Sequence, residues 1–262
     1  MTDTTRDLTL PKIDQIFEHD QVINMGIDKE DCDYLIALAG NPNTGKSTVF
    51  NDLTGLHQHT GNWPGKTVTR AVGTFDFSGN KFKVVDLPGT YSLLAITEDE
   101  VIARDFILFG QPDVTVIVVD ATCLERNLNL VIQILQITSR AVVDLNLMDE
   151  AHRHNIEIDH HQLAEILGVP VIPTVARYNK GIDDLTVAIH NIAAGKIICT
   201  PYQINPESAV LNHAIEKLEK EIQMVYPNLP NARWVALRLL DGDQRIKDAF
   251  RDGAFDQMIN RN

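Results

Sequence analysis

Gly40-Asn41-Pro42-Asn43-Thr44-Gly45-Lys46-Ser47 is the stretch that decides the fold, because it fits GxxxxGK[ST] and stands between two segments of the right kind. Tyr34 to Ala39 is a short apolar run that reads as a buried strand, and Ser47 to Leu53 reads as a helix. In that setting the glycines let backbone N–H groups turn inward around phosphates, and the helix N-terminus adds its positive end. Lys46 is expected to reach the β- and γ-phosphates and the Ser47 hydroxyl to ligate Mg²⁺, with Thr48 among the nucleotide contacts. The loop alone leaves open whether the base is adenine or guanine, and whether the phosphoryl group is transferred or hydrolysed off.

Working outward, further apolar runs at Phe82 to Val85, Val114 to Val119, Ala141 to Leu145 and Val169 to Ile172 alternate with helix-length segments. Those segments are Glu98 to Phe109, Leu128 to Ile137, His160 to Leu167 and Ile182 to Ala194. The alternation predicts an α/β fold, a mainly parallel sheet with helices on both faces. Around Pro201 the chain turns loop-like, and only helical patterns follow, at Glu207 to Val225 and Ala232 to Leu240. The expected organisation is an N-terminal extension over residues 1–33, a nucleotide-binding domain over 34–200 and a small helical domain over 201–262. In the extension Ile13, Ile16, Phe17, Val22 and Ile23 fit a short amphipathic helix or an ordered arm, with no chemistry.

Asp86-Leu87-Pro88-Gly89 follows an apolar strand and so places a carboxylate at a strand's C-terminal end, in the same crevice as the phosphate loop. Asp86 is the expected Mg²⁺ anchor, and Gly89 is expected to offer its N–H to the γ-phosphate. Residues 56–72, rich in Gly, His, Asn and Thr, are long enough for a mobile loop over the nucleotide. A threonine that senses the γ-phosphate and completes the Mg²⁺ shell belongs there. Thr67 is the first choice, with Thr60 and Thr69 as substitutes, although Thr69 also suits a strand start.

The base is read from Asn146-Leu147-Met148-Asp149, an NxxD that follows the strand Ala141 to Leu145. A carboxylate at Asp149 can accept both the ring N1–H and the exocyclic amine, a donor pair that guanine has and adenine lacks. Such a site rejects adenine, because its buried acceptor would go unpaired. Asn146 and Met148 complete that edge, and backbone N–H groups from Val175, Ala176 and Arg177 are expected to supply the last base contact.

The bulk properties agree. A chain of 262 residues with 44% hydrophobic composition can bury a core. A net charge of -13 gives no electrostatic basis for gripping nucleic acid. Cys32, Cys123 and Cys199 are far apart, form no CxxC and cannot all pair, which suits a reducing cytoplasm. No apolar run approaches the roughly 20 residues needed to cross a bilayer.

The order of phosphate loop, Thr67, DLPG and NLMD resembles the Ras-like GTPases, and one stretch narrows the likeness. Gly61-Asn62-Trp63-Pro64-Gly65-Lys66-Thr67-Val68 resembles the first switch of the ferrous iron transport protein B (FeoB) family. So do Asp86-Leu87-Pro88-Gly89-Thr90-Tyr91-Ser92-Leu93, Asp120-Ala121, Leu124 to Leu128, Arg233-Trp234 and Leu240-Asp241-Gly242-Asp243. The resemblance implies that Asn41, with the backbone carbonyls of Gly61 and Trp63, holds a K⁺ ion against the phosphates, supplying charge an arginine finger gives elsewhere. It implies GTP and GDP as ligands, a transmembrane iron-permease domain of the same protein as partner, and a place on the cytoplasmic face of the bacterial inner membrane. It also leaves room for a homo-oligomer.

Thr90 stands where a water-orienting glutamine is usual, so hydrolysis is expected to be slow. Lys66, Thr69 and Ala176-Arg177 depart from the residues common in the family, which bears on switch ordering and base affinity. The membrane domain lies outside this sequence and the helical part stops early, so a fragment is expected. The alternatives are a soluble ribosome-assembly GTPase, disfavoured by the acidic charge, and a nucleotide-binding adaptor with negligible hydrolysis. The pairs His57/His59, His152/His154 and His160/His161 lack a third ligand at helical spacing and read as solvated surface.

Overall fold

The computed structural model describes residues 27, 31–55, 58–94, 96–204, 208–227, 229, 231–251, 253 and 255. The expected N-terminal arm therefore lies outside the described residues, apart from Ile27 and residues 31–33. Five parallel strands form the centre: β1 (Tyr34–Gly40), β4 (Asn80–Asp86), β5 (Val114–Asp120), β6 (Ala141–Asn146) and β7 (Val171–Pro173). Antiparallel β2 (Gln58–Asn62) and β3 (Thr69–Phe77) extend one edge, giving the order β2-β3-β4-β1-β5-β6-β7. The α/β expectation holds.

Helices α1 (Lys46–Thr54), α2 (Glu98–Phe109), α3 (Leu124–Ile137), α4 (Met148–Arg153) and α5 (His160–Leu167) lie between the strands, and α6 (Ile182–Ala193) follows β7. Because the central strands are apolar on both faces, both must be covered. On one face Val49 and Phe50 of α1 and Leu185 and Ile189 of α6 pack with Ile36, Leu38, Val84 and Val118. On the other, Phe106 of α2 and Val131 of α3 pack with Ala37, Val85, Ile117 and Val143. That second core runs on into α7 (Ala209–Val225), α8 (Ala232–Leu240) and α9 (Gln244–Arg251) through Ile215, Ile222, Val235 and Ile246.

The structure corrects the reading of residues 56–72 as one mobile loop. Gln58–Asn62 pairs with Thr69–Gly73 as a hairpin, so Thr69 opens a strand and Thr67 sits in the turn. The reason the pattern hid is physical: edge strand β2 has almost no apolar surface to bury, so it lacks the alternation that betrays a strand. Helix α4 was likewise passed over, being only six residues long, and α9 follows Asp241-Gly242-Asp243 unannounced.

Helix α2 begins where its acids announce it. The Thr97 hydroxyl accepts from the Glu100 N–H and the Glu100 carboxylate accepts from the Thr97 N–H, a reciprocal cap. Glu100 also accepts from Ser92 Oγ at 2.6 Å and Ile96 N–H at 2.9 Å, which ties the segment after Gly89 to this helix. Burial pushes the Glu100 carboxyl up, but those three bonds together hold it below its ordinary value.

A four-charge cluster joins α2 to the C-terminal helices. Fully buried Arg104 donates to Asp105 (3.1 Å) and to Asp243 (3.0 Å), and Arg245 reaches the other Asp105 oxygen at 2.6 Å. Arg245→Ala is expected to cost about 1–2 kcal/mol, since Arg245 is partly exposed but Asp105 keeps only one of its two guanidinium partners. Urea unfolding should show a lower midpoint at unchanged slope; an unmoved midpoint would mean the cluster carries no stability.

Candidate functional site

The phosphate loop leaves the end of β1 and closes on α1. Asn43 (φ 67°) and Gly45 (φ 83°) both take the left-handed conformation that turns the loop's backbone inward. A Cβ at Gly45 would meet Asn146 Nδ2 at 2.4 Å, and one at Gly40 would meet the Val118 carbonyl at 2.5 Å, so neither position admits a side chain as built. Gly89, from the end of β4, lies against Pro42, where a Cβ would come within 3.3 Å of Cα. Thr90 N–H donates to the Gly40 carbonyl at 3.2 Å, fastening this segment to the loop.

Lys46 and Asp86 meet across the ends of β1 and β4 as a close ion pair. Burial pushes the Asp86 carboxyl up, while the charge and hydrogen bond of Lys46 pull it down. Asn41 is buried (3% exposed), and neither its Oδ1 nor its Nδ2 finds a hydrogen-bond partner among the described residues. Buried amides are paired almost without exception, so this one is free to hold a ligand. Thr44 instead satisfies itself, its hydroxyl donating to the Asn41 carbonyl at 3.0 Å.

At the end of β6, Asn146 is a buckle. Its Nδ2 donates to the Thr44 carbonyl at 3.0 Å, and its Oδ1 accepts from the Ala176 N–H at 3.1 Å, with the Thr174 hydroxyl at 3.3 Å. The amide thereby stitches the phosphate loop to the loop after β7. This differs from the expected division of labour: the Ala176 N–H supports Asn146, and the Val175 N–H closes a turn onto the Lys180 carbonyl at 3.0 Å. Arg177 was expected to act through its backbone, yet its guanidinium reaches out to Asp149 and Glu150.

Leu147 takes φ 62°, a turn that starts α4 at Met148 and sets Asp149 in its first turn. One Asp149 oxygen takes Arg177 and, at 3.4 Å, Arg153; the other, Oδ1, is buried without a partner among the described residues. Burial pushes this carboxyl up, but Arg177, the Glu150 N–H and Arg153 together hold it below its ordinary value. It is therefore an ionised acceptor at neutral pH.

The first-switch residues are not brought to this centre. Thr67 is exposed in the β2–β3 turn without a hydrogen bond to the phosphate loop, and Gly61 lies exposed in β2. Trp63, expected in a mobile loop over the nucleotide, is buried (3% exposed) and stands edge-on to Phe106 of α2 at 5.6 Å. The burial value of an indole ring outweighs exposure in a turn. Two residues passed over by the motif reading, Asp144 and Thr174, lie directly behind Asn146, both buried. A charged residue inside an apolar strand was the signal.

The model of ferrous iron transport protein B matches residues 34–189, and that of the FeoB cytosolic helical domain matches residues 208–261. The Fe(2+) transporter FeoB of Escherichia coli (strain K12) is 42% identical over 212 residues, which is 79% of this chain. The chain spans only 27% of that relative's length. The cytosolic domain of L. pneumophila FeoB superposes with a TM-score of 0.75 at 34% identity, covering 86% of this chain and 88% of that one. The cytosolic domain of the T. maritima FeoB iron transporter in GDP form I gives 0.75 at 34% identity, over 84% and 85%. With one family model covering the sheet that carries the phosphate loop and the other covering the C-terminal helices, this chain belongs to the ferrous iron transport protein B family.

Proposed function

We propose that this chain binds GTP with Mg²⁺, hydrolyses it slowly to GDP and phosphate with help from K⁺, and so regulates ferrous iron uptake through a membrane domain of the same protein. The observation that carries this reading is the convergence of Lys46, Asp86, Asn146 and Asp149 at the C-terminal ends of β1, β4 and β6. That is where open α/β sheets bind ligands. The relative in GDP form I supports the nucleotide assignment.

In this reading the loop Gly40 to Gly45, Pro42 apart, presents backbone N–H groups to the phosphates, and Lys46 leaves Asp86 to reach the β- and γ-oxygens. Mg²⁺ fits beside Ser47 and Asp86, whose carboxylate already attracts a cation, with Thr67 joining once its turn moves inward. K⁺ fits the unpartnered Asn41 amide, with the Gly61 and Trp63 carbonyls brought in by the same movement. Bound there, the two cations supply positive charge to the phosphate oxygens as they become more negative. Gly89 offers its N–H to the γ-phosphate, while Thr90, whose hydroxyl donates to the Ser92 carbonyl at 2.8 Å, is no substitute for a water-orienting glutamine. Turnover is slow for that reason. The family likeness and the 27% share of the relative's length that the chain spans support the permease domain as partner and the cytoplasmic face of the bacterial inner membrane as location, and a homo-oligomer is compatible with both.

Phosphate release in KCl against NaCl, with Asn41→Ala beside wild type, tests the cation step. Wild type should run about 10- to 100-fold faster in KCl, and Asn41→Ala should lose that difference. Equal rates in both salts would remove K⁺ from the account, and no turnover in either would leave a binding adaptor.

A further inference from the structure

Asp144 sits in β6 two residues before Asn146, fully buried. Side chains alternate along a strand. Val143 and Leu145 enter one core and Val142 the other, so Asp144 and Asn146 point to the face covered by α1 and α6. In the sheet Asp144 lies between Val118 of β5 and Ile172 of β7, so apolar residues flank it. Its Oδ1 lies in short contact with the Thr174 hydroxyl, and its Oδ2 is buried without a partner among the described residues. The Thr174 backbone is fixed, its N–H donating to the Leu145 carbonyl at 2.9 Å and its carbonyl accepting from the Met148 N–H at 3.3 Å. The hydroxyl is thus held between two acceptors, Asp144 Oδ1 and Asn146 Oδ1 at 3.3 Å.

A hydroxyl has one proton to give. When Asp144 is a neutral acid it donates to Thr174 Oγ1, and the Thr174 O–H is free to donate to Asn146 Oδ1. When Asp144 is ionised it must accept, the Thr174 O–H turns to it, and Asn146 Oδ1 keeps only the Ala176 N–H. The amide that buckles the phosphate loop to the base loop is then held by one bond fewer. Burial pushes the Asp144 carboxyl up to about 7, with the Thr174 hydrogen bond pulling the other way, so the exchange falls in the neutral range.

The charged groups on the elements around this face are bonded elsewhere or stand without a bond to Asp144. Lys46 pairs with Asp86, Arg177 with Asp149 and Glu150, and Asp120 accepts from the Thr122 N–H. His190 meets Lys196 at 3.2 Å, Asp183 and Asp184 are exposed, and Asp52 is half-buried. None forms an ion pair or hydrogen bond with Asp144.

We propose that Asp144 is a positioning residue for guanine-nucleotide binding: as a neutral acid it orients Asn146 through the Thr174 hydroxyl, and its ionisation loosens the buckle and weakens binding. The inference rests on the reading of Asn146 and Asp149 as the base site.

The test is a titration with GDP carrying a fluorescent methylanthraniloyl group, at about pH 6 and about pH 8.5, on wild type, Asp144→Asn and Thr174→Val. Asp144→Asn is a permanent neutral donor, so comparison with it cancels the ionisation of the nucleotide itself. Wild type should lose about tenfold more affinity than Asp144→Asn as pH rises, the worth of one hydrogen bond. Thr174→Val, lacking the relay hydroxyl, should bind weakly at both values and show no extra pH loss, and it keeps the test alive should Asp144→Asn fold poorly. Superimposable wild-type and Asp144→Asn profiles, or a Thr174→Val protein with the full wild-type pH loss, would overturn the proposal while leaving the base site intact. No binding by wild type at either pH would overturn the base site and this inference together.

Discussion

Asp149→Asn is expected to lower affinity for GTP by about 10³-fold and to raise affinity for xanthosine triphosphate above that for GTP. The carboxylate is an acceptor only, held ionised by Arg177 and Arg153, and guanine presents it with two donors, N1–H and the amine. An amide turns one acceptor into a donor. It then faces the guanine amine with a donor of its own, and a buried donor pair without acceptors costs the full desolvation of both. Xanthine carries a carbonyl where guanine carries that amine, so the amide's donor is satisfied again. Competition of each triphosphate against a labelled GDP measures both effects; an Asp149→Asn chain that still prefers GTP would place base recognition elsewhere. The exposed Arg177 partner makes a milder variant a poor substitute, because removing Arg177 changes the charge around Asp149 without changing its hydrogen-bonding sense.

Lys46→Ala is expected to lower single-turnover phosphate release by about 10²–10³-fold, the cost of one electrostatic contact to the reacting oxygens. It has a second consequence, for the fold. Asp86 is already pushed up by burial and is restrained mainly by Lys46, so without the ammonium it takes up a proton rather than stay charged. The variant should therefore gain in stability as pH falls, through the range where Asp86 protonates, whereas wild type should not gain there to the same degree. Lys46→Ala with Asp86→Asn should recover the stability at neutral pH and none of the turnover. Recovery of both would show that Lys46 serves only to neutralise Asp86.

The sheet's centre, with Lys46 and Asp86 at its strand ends, was legible because strong local signals coincide there. The run Tyr34 to Ala39, the glycines of the loop and Asp86 after an apolar strand each carry their own physical reason, and they agree in order. The hairpin of β2 and β3 was not legible, since Gln58 to Asn62 is a polar edge strand whose order comes from backbone pairing with β3 rather than from burial. Trp63 misled for a related reason: its burial against Phe106 depends on where α2 lies, which no local pattern around Gly61 to Val68 reveals. Around Asn146 and Asp149 the end of a strand was legible and the bonds were not. Asn146 faces Thr44 and Ala176 across 102 and 30 positions of sequence, and Asp144 hid inside Ala141 to Leu145 because the run was read for its apolar members.

The central claim, that Lys46, Asp86, Asn146 and Asp149 form a guanine-nucleotide site that releases phosphate, is tested most directly by one comparison. Phosphate release by the purified chain is followed with GTP and with ATP, each with Mg²⁺ in KCl. The account predicts slow, catalytic release from GTP and none above background from ATP. Comparable release from the two nucleotides, or release from ATP alone, would contradict it.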